Sequence, residues 1–404
     1  MKAVILAGGK SERMRPIQEK PLIKICGKEI IVHQIELIAA AGISEFVIIG
    51  SENNIERLKE ATSKTDLNIK IDYRIQTIQE GSAGAMKAAE DLIRESSVLF
   101  VGATDIIDTS AYLEILNQAE SFDCVTLAKK VGHYYPGGYL QFDQDGILKK
   151  IIEKPGAGNE PSMLMNVFLH FHRDGNKLMD EIYAVEEVEI DLYFTALHKM
   201  IEDGLIVKTV EYDKRLQPIK YPWHLFDEAL VLFEKEANKK ANLIKKNFSK
   251  NSEIIGNVIL EDNVLIEDNT KIIGPSYIGK GTVIKSGCVI EESFIGDNCT
   301  IDNKTEIKNS FLDDNVEVKS KVVNSILMKN SRVEENVEIM MENNDCANIE
   351  VWIRDQKIDS GLKKMGVICG ENVILEKEVK SCPGVKIFPN KQVVAKSLVN
   401  QDLI

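Results

Sequence analysis

Apolar positions follow two different rules along this chain. Up to about residue 225, short apolar runs alternate with segments whose apolar residues recur at helical spacing. Val4, Ile5 and Leu6 make a first strand. Ile31, Ile35 and Ile38 set a helix over 29–41, which Gly42 ends. The same reading predicts strands over 46–49, 69–73, 98–101, 121–130 and 205–210, with helices over 54–61, 83–94 and 192–201. The stretch from His133 to Gly146 reads as a hairpin closed by Asp145-Gly146. Alternating strands and helices imply an α/β domain with a mainly parallel sheet, whose ligands sit beyond the strands' carboxyl ends.

From about residue 254 the rule changes. Leu260, Ile266, Ile272, Ile278, Ile284 and Ile290 stand six apart, with Gly, Asn, Asp and Lys between them. The register slips by one and resumes at Ile295, Ile301 and Ile307; Val367, Val373, Val379 and Val385 form a later set. Neither a strand period of two nor a helix period of 3.6 produces this. Short strands in a three-sided coil do, with one aliphatic side chain inward per side. The domains expected are therefore 1–225, a linker helix over 226–251, a solenoid over 252–395 and a tail over 396–404.

Bulk composition narrows the partners. The 404 residues carry 50 basic and 63 acidic side chains, a formal charge of −13, which disfavours a nucleic-acid binder. The seven cysteines include no CxxC pair, so structural disulfides and a zinc cluster are not expected. The start MKAVILAGG lacks a signal-peptide pattern and no apolar run is long enough for a span, so a cytoplasmic protein without membrane partners is expected.

The candidate chemistry begins at the first strand's tip. Gly8 and Gly9 follow Leu6, and Arg13, Arg15 and Lys20 come close behind. Small residues let backbone N–H groups approach an anion, and the bases add charge. The loop is neither GxxxxGK[ST] nor GxGxxG, so on chemistry alone it is a phosphate site or an ordinary strand-to-turn junction. Gln76 in QTIQEGSAGA can read a base edge, Gly81 permits close approach and Ser82 suits an N-cap; an ordinary polar loop is the alternative. Asp105 follows the 98–101 strand and could hold Mg²⁺ or cap a turn. Glu153 and Lys154 in IIEKP form a surface pair or a sugar contact. His170 and His172 lie on one strand side, as half-buried residues or, less expectedly, as a metal pair.

Leu6, Gly8, Gly9, Arg13, Met14, Pro16, Lys20 and Pro21 together resemble the N-terminal signature of sugar-1-phosphate nucleotidylyltransferases. The short gap from Arg13 to Lys20 is similar to the uridylyl and cytidylyl branches. The resemblance implies a Rossmann-like domain followed by a left-handed hexapeptide-repeat β-helix, and a reaction between a nucleoside triphosphate, UTP favoured, and a sugar-1-phosphate. It implies Arg13 and Lys20 as catalytic residues and Leu6, Gly8, Gly9, Gln76, Gly81 and Ser82 at the nucleotide. Gly138, Glu153, Lys154 and Asn166 fall at the sugar. Asp105 would hold Mg²⁺, with Asp227 or His224 as a second ligand. A homotrimer formed through the β-helix is also implied.

The segment from Asp359, Ser360 and Gly361 through Lys363, Lys364, Gly366, Ile368 and Gly370 resembles the archaeal-type proteins that add an amino-sugar acetyltransferase. Several positions depart from these patterns: Glu12, Thr104, Phe168 in place of a glycine, His224 in place of an aspartate, and Asn344 where a histidine base is expected. Two other readings therefore stand beside the nucleotidyltransferase: a regulatory or assembly subunit, and an acetyl-CoA-dependent acetyltransferase. Because Glu12 lies in a triphosphate loop, it must point away or meet a cation.

Overall fold

The computed structural model describes every residue except 79, 189–190, 215, 217–218, 241–248, 250 and 344, and the side chains of 238–240. Two compact units result. One joins Met1–Gly9 to Ile30–Gln217; the other joins Lys10–Glu29 to Pro218–Ile404. The segment carrying Arg13 and Lys20 thus belongs to the second unit.

The first unit is built on strands β1 (Lys2–Leu6), β2 (Glu45–Gly50), β3 (Lys70–Ile75), β4 (Val98–Gly102), β5 (Cys124–Lys130), β6 (Gly138–Phe142), β7 (Leu148–Glu153), β8 (Leu164–His172) and β9 (Val207–Tyr212). Their order is β9-β5-β8-β4-β1-β2-β3, with β6 bonded to β8 and β7. Pairs β1–β2, β1–β4, β2–β3 and β5–β9 are parallel. Strand β8 runs antiparallel to β4, β5 and β6, so the sheet is mixed. The first strand is apolar on both faces, as a strand buried on both sides must be: Ala3, Val4 and Ile5 are fully buried. Helices α1 (Ile30–Ala39), α2 (Ile55–Thr62), α3 (Gly81–Ala88), α4 (Glu90–Ile93), α5 (Thr109–Gln118), α6 (Gly175–Ala184) and α7 (Leu192–Glu202) complete the unit. The single helix expected over 83–94 is two, broken at Ala89, whose φ of −117° and ψ of 20° are not helical. The helix also starts at Gly81, with Glu80 as its N-cap, so Ser82 does not cap it.

In the second unit, the coil is the left-handed β-helix. One face stacks Val258–Leu260, Ser276–Ile278, Phe294–Ile295, Phe311–Leu312, Ile326–Leu327, Ile368–Cys369 and Lys386–Ile387 in parallel. The six-residue aliphatics line the interior: Ile272, Ile278, Ile284, Ile290, Ile295, Ile301 and Ile307 are fully buried. Each such side chain contributes about 1.5–3 kcal/mol by leaving water. Coil corners carry small buried residues whose hydroxyls bond the next coil, as Thr282 Oγ1 does to the Gly296 carbonyl at 2.8 Å. Val367, Val373, Val379 and Val385 prove to be buried residues just outside the strands, filling their positions by apolar packing alone; Cys369, Leu375 and Ile387 are the inward strand residues beside them.

Asparagines fill the turns because the backbone there is left-handed: φ is 59° at Asn315, 60° at Asn330, 58° at Asn372 and 64° at Asn390. Their amides form a ladder, Asn315 donating to Asn330 at 3.1 Å, Asn330 to Asn372 at 2.9 Å and Asn372 to Asn390 at 2.9 Å. Among the described residues the coil is interrupted by a hairpin of Glu350–Ile353 and Gln356–Asp359. Helix α8 (His224–Lys240) belongs to this unit. No helix of the described residues is long and apolar enough to cross a membrane.

Candidate active site

At the carboxyl ends of the parallel strands, four features of the first unit meet. Ala7 donates its N–H to the Ile49 carbonyl at 2.8 Å, and the Asn54 amide donates to the Ala7 carbonyl at 3.0 Å. Gly8 is buried behind this link. A Cβ on Gly8 would stand 3.0 Å from Gln76 Oε1 and 3.1 Å from the Gly50 carbonyl, so a larger residue would fit only if these neighbours gave way. Gly9 is exposed.

Gln76 is held by its own loop. Its amide nitrogen donates to the Ile78 and Gly81 carbonyls, both at 3.0 Å, while its Oε1 faces Gly8. Gly81, with φ of 59°, leaves room for Asp191, whose carboxylate would lie 2.2 Å from a Cβ there. Ser82 Oγ donates to the same carboxylate at 3.0 Å. Asp191 was not foreseen, because it is over a hundred residues from the loop it closes.

Leu6 and Gly102 are register partners on β1 and β4. Asp105 folds back over this point: a Cβ on Gly102 would meet its Oδ2 at 2.8 Å. Its carboxylate is half-buried.

A second cluster gathers three of the expected sugar residues. Gly138 and Glu153 face each other across the β6–β7 hairpin. A Cβ on Gly138 would lie 2.9 Å from Glu153 Oε2 and 3.6 Å from the Asn166 Cβ. Lys154 is exposed, with φ of 48°, and its N–H donates to the Gly137 carbonyl at 2.9 Å. Asn166 Oδ1 accepts from Thr126 Oγ1 at 3.2 Å and from His170 Nε2 at 2.9 Å.

His170 and His172 are fully buried rather than half-buried. Both bond the Tyr193 hydroxyl, at 2.6 Å and 2.9 Å. Burial lowers the His170 pKa to about 3 and the His172 pKa to about 4, so both imidazoles are neutral. Phe168 stacks on His170 at a centroid distance of 5.3 Å and meets Tyr193 edge-on, so its ring belongs to this aromatic cluster.

In the second unit, Arg13 is exposed on the 3-10 turn Glu12–Met14, which the buried Met14 anchors. Half-buried Lys20 donates to the Ile219 carbonyl at 3.0 Å. Glu12 does find a cation: Arg354, at the tip of the protruding hairpin, lies 2.6 Å away. His224 Nδ1 accepts from the Lys220 N–H at 3.2 Å, and Asp227 is exposed on the first turn of α8. Asn344 lies outside the described residues. In the second unit a cavity of about 530 Å³ is lined by Asp345, Glu350, Trp352, Asp359 and Asp402 among others, with no histidine among the described lining residues.

Strand-tip glycines, a carboxylate at the adjoining tip, and Glu153 of the β6–β7 hairpin gathered with Asn166 of β8 define a nucleotidyltransferase-type domain with a β-helix following it. Residues 2–174 match the nucleotidyl transferase family, and residues 255–356 match the EIF2B subunit epsilon LbH domain. The bifunctional protein GlmU of Methanococcus maripaludis strain C7 is 30% identical, with all of this chain and 95% of that protein covered. A bifunctional sugar-1-phosphate nucleotidylyltransferase/acetyltransferase of Sulfurisphaera tokodaii is 29% identical, over all of this chain and 98% of the relative. A mannose-1-phosphate guanylyltransferase catalytic subunit beta of Dictyostelium discoideum is 30% identical, over 38% of this chain and 45% of its own. The chain belongs to the sugar-1-phosphate nucleotidylyltransferase family, in the branch with a hexapeptide-repeat C-terminal domain related to the archaeal GlmU-like proteins. That membership carries nucleotidyltransferase chemistry on a sugar phosphate.

Proposed function

We propose that the protein joins a nucleoside triphosphate, UTP by preference, to a sugar-1-phosphate, giving a nucleotide sugar and pyrophosphate. The sugar-1-phosphate oxygen attacks the α-phosphorus; that P–O bond forms as the bond to the β-phosphate bridge breaks. The nucleophile is already an anion, so no protein base is needed and catalysis rests on placement and charge. Arg13 holds the triphosphate and the departing pyrophosphate. Lys20 bridges the α-phosphate and the incoming phosphate. Leu6, Gly8 and Gly9 bring backbone close to the nucleotide, and Gln76, Gly81 and Ser82 flank its base. Gly138, Glu153, Lys154 and Asn166 serve the sugar.

We assign Asp105 to Mg²⁺, with Asp227 or His224 as a second ligand. A carboxylate at a strand tip suits this hard cation, and imidazole suits it less. When bound, the cation neutralises phosphate charge. A cytoplasmic homotrimer assembled through the β-helix, without nucleic-acid or membrane partners, completes the reading.

The observation that supports it most is the convergence of Gly138, Glu153 and Asn166, brought from three strands to one place. An acceptor carboxylate and an amide side by side suit the hydroxyl-rich face of a sugar. The test is pyrophosphate release from four triphosphates against a panel of sugar-1-phosphates, with mass by light scattering for the trimer. Release with UTP and one sugar-1-phosphate is the expected result; a silent panel would favour the assembly-subunit reading.

A further inference from the structure

The buried histidines of β8 have no part in the reaction just described, yet they make an unbroken chain. In a regular strand, residues four apart stand about 13 Å from each other along the chain. Asn166 and His170 nevertheless bond at 2.9 Å. The register of β8 against β5 explains this: Val167 pairs with Leu127 but His170 pairs with Thr126, so β8 bulges between them. The bulge shortens the strand locally and turns both side chains onto one spot.

Hydrogen-bond chemistry then gives the chain a direction. Asn166 Oδ1 can only accept, so His170 Nε2 carries the proton that bonds it. A neutral imidazole protonated at Nε2 accepts at Nδ1, so the Tyr193 hydroxyl donates there, at 2.6 Å. The Tyr193 oxygen accepts in turn from His172 Nε2, at 2.9 Å. Thr126, fully buried, donates to the same Asn166 oxygen. With both inward bonds on Oδ1, the Asn166 NH₂ group bonds nothing among the described residues, and the Asn166 Cβ and Glu153 Oε2 lie 3.6 Å and 2.9 Å from the place a Cβ on Gly138 would take.

We propose that His172, Tyr193 and His170 are positioning residues, a buried relay that fixes the direction of the Asn166 amide so that its NH₂ group is offered to an acceptor oxygen of the sugar-1-phosphate. This rests on the sugar role given to Asn166 above. Glu153 then supplies the acceptor and Asn166 the donor, and the pair selects a ligand that presents one hydroxyl hydrogen and one neighbouring oxygen lone pair. Without the relay only the Thr126 hydroxyl faces the amide, and a hydroxyl can bond either end of it, so a flipped amide becomes accessible and the site then offers two acceptors.

The first experiment reads the relay without activity. The ¹⁵N shifts of His170 in the labelled full-length protein are expected to report a neutral Nε2–H tautomer from pH 8 to pH 5. An Nδ1–H tautomer or a cationic ring in that range overturns the inference. The second is kinetic. Tyr193→Phe is expected to raise KM for the sugar-1-phosphate about tenfold, the scale of one hydrogen bond, with KM for the triphosphate unchanged. Asn166→Asp keeps the inward acceptor and removes the outward donor; it is expected to fold normally and show the same selective loss. Equal effects on both substrates, or none in either variant, would overturn the positioning role. A wild type inactive on every substrate pair retires the nucleotidyltransferase reading instead, and the relay then stands or falls on the His170 shifts.

Discussion

The ammonium of Lys24 lies 2.7 Å from the carboxylate of Asp297, and a second carboxylate, Asp314, is 2.9 Å from the same nitrogen. Both acids are themselves fixed by the coil: Asp297 Oδ1 accepts from the Lys280 N–H and Asp314 Oδ1 from the Asp297 N–H, each at 2.8 Å. Burial alone would lower the Lys24 pKa, but the hydrogen bond to Asp297 and the charge of Asp314 outweigh it and raise it above its ordinary value. Lys24 follows Lys20 by four residues, and Glu12, paired with Arg354, precedes Arg13 by one. The segment bearing both proposed catalytic cations is therefore tied down at each end to the β-helix unit. The Glu12 pair is exposed and worth at most about 1 kcal/mol. The Lys24 pair is partly buried and is the stronger tie.

Removing that tie should cost activity without touching substrate. Lys24→Met is expected to lower the nucleotidyl-transfer rate by about tenfold while circular dichroism stays unchanged, with a loss of similar size in Asp314→Asn. Because the two share one interaction, the double variant should lose little more than either single one, a departure from additivity of about 1.4 kcal/mol, the worth of that tenfold. Additive rates in a double-mutant cycle would show that the contact does not hold the loop.

The catalytic assignment has a direct test. Lys20→Ala is expected to slow magnesium-dependent pyrophosphate release by roughly 10²-fold, the scale of one preorganised electrostatic contact. Asp105→Asn should weaken both the rate and its dependence on magnesium. Neither side chain is part of a packed core, so both variants should fold. Equal rates in folded wild type and Lys20→Ala would remove lysine from the mechanism.

Asp313 makes stability depend on pH. Burial, and then the neighbouring charge of Asp314, push its pKa up to about 7. A raised acid contributes stability fully present below the unfolded value near 4, and that contribution is lost as pH rises from there through about 7. Asp313→Asn keeps the oxygen that accepts from the Asp314 N–H at 2.8 Å and removes the titration. The variant should melt higher than wild type at pH 8, with the gap closing toward pH 4. Melting curves at four pH values check this, and a gap independent of pH would refute it.

Acetyl transfer is expected to be absent. The cavity beside the protruding hairpin offers the carboxylates Asp345, Glu350, Asp359 and Asp402, and no histidine among its described lining residues. Asp402 is already paired with the buried Lys386 at 3.2 Å. An amine acceptor needs a base with a pKa suited to it. The measurement is thiol release from acetyl-CoA with glucosamine-1-phosphate and with galactosamine-1-phosphate. Release dependent on either sugar would place the base on one of these carboxylates.

Elements whose signal is local or periodic are legible in the chain alone. The six-residue aliphatic spacing can be satisfied only by a coil with one inward side chain per face, and Ile272 through Ile307 line that interior. Leu6, Gly8 and Asp105 were legible at strand tips because alternating strands and helices place every such tip on one edge of the sheet. Features that depend on partners remote in the chain emerge only on packing. Nothing near Ala89 signals the break between α3 and α4. Gly81 and Ser82 answer to Asp191, and Lys24 to two acids some 270 to 290 residues onward. The bulge that joins Asn166 to His170 exists only against β5, and Tyr193 reaches both histidines from α7. Periodicity records which face of an element is apolar; which buried polar groups meet across that face is settled only when the elements pack and each donor must find an acceptor.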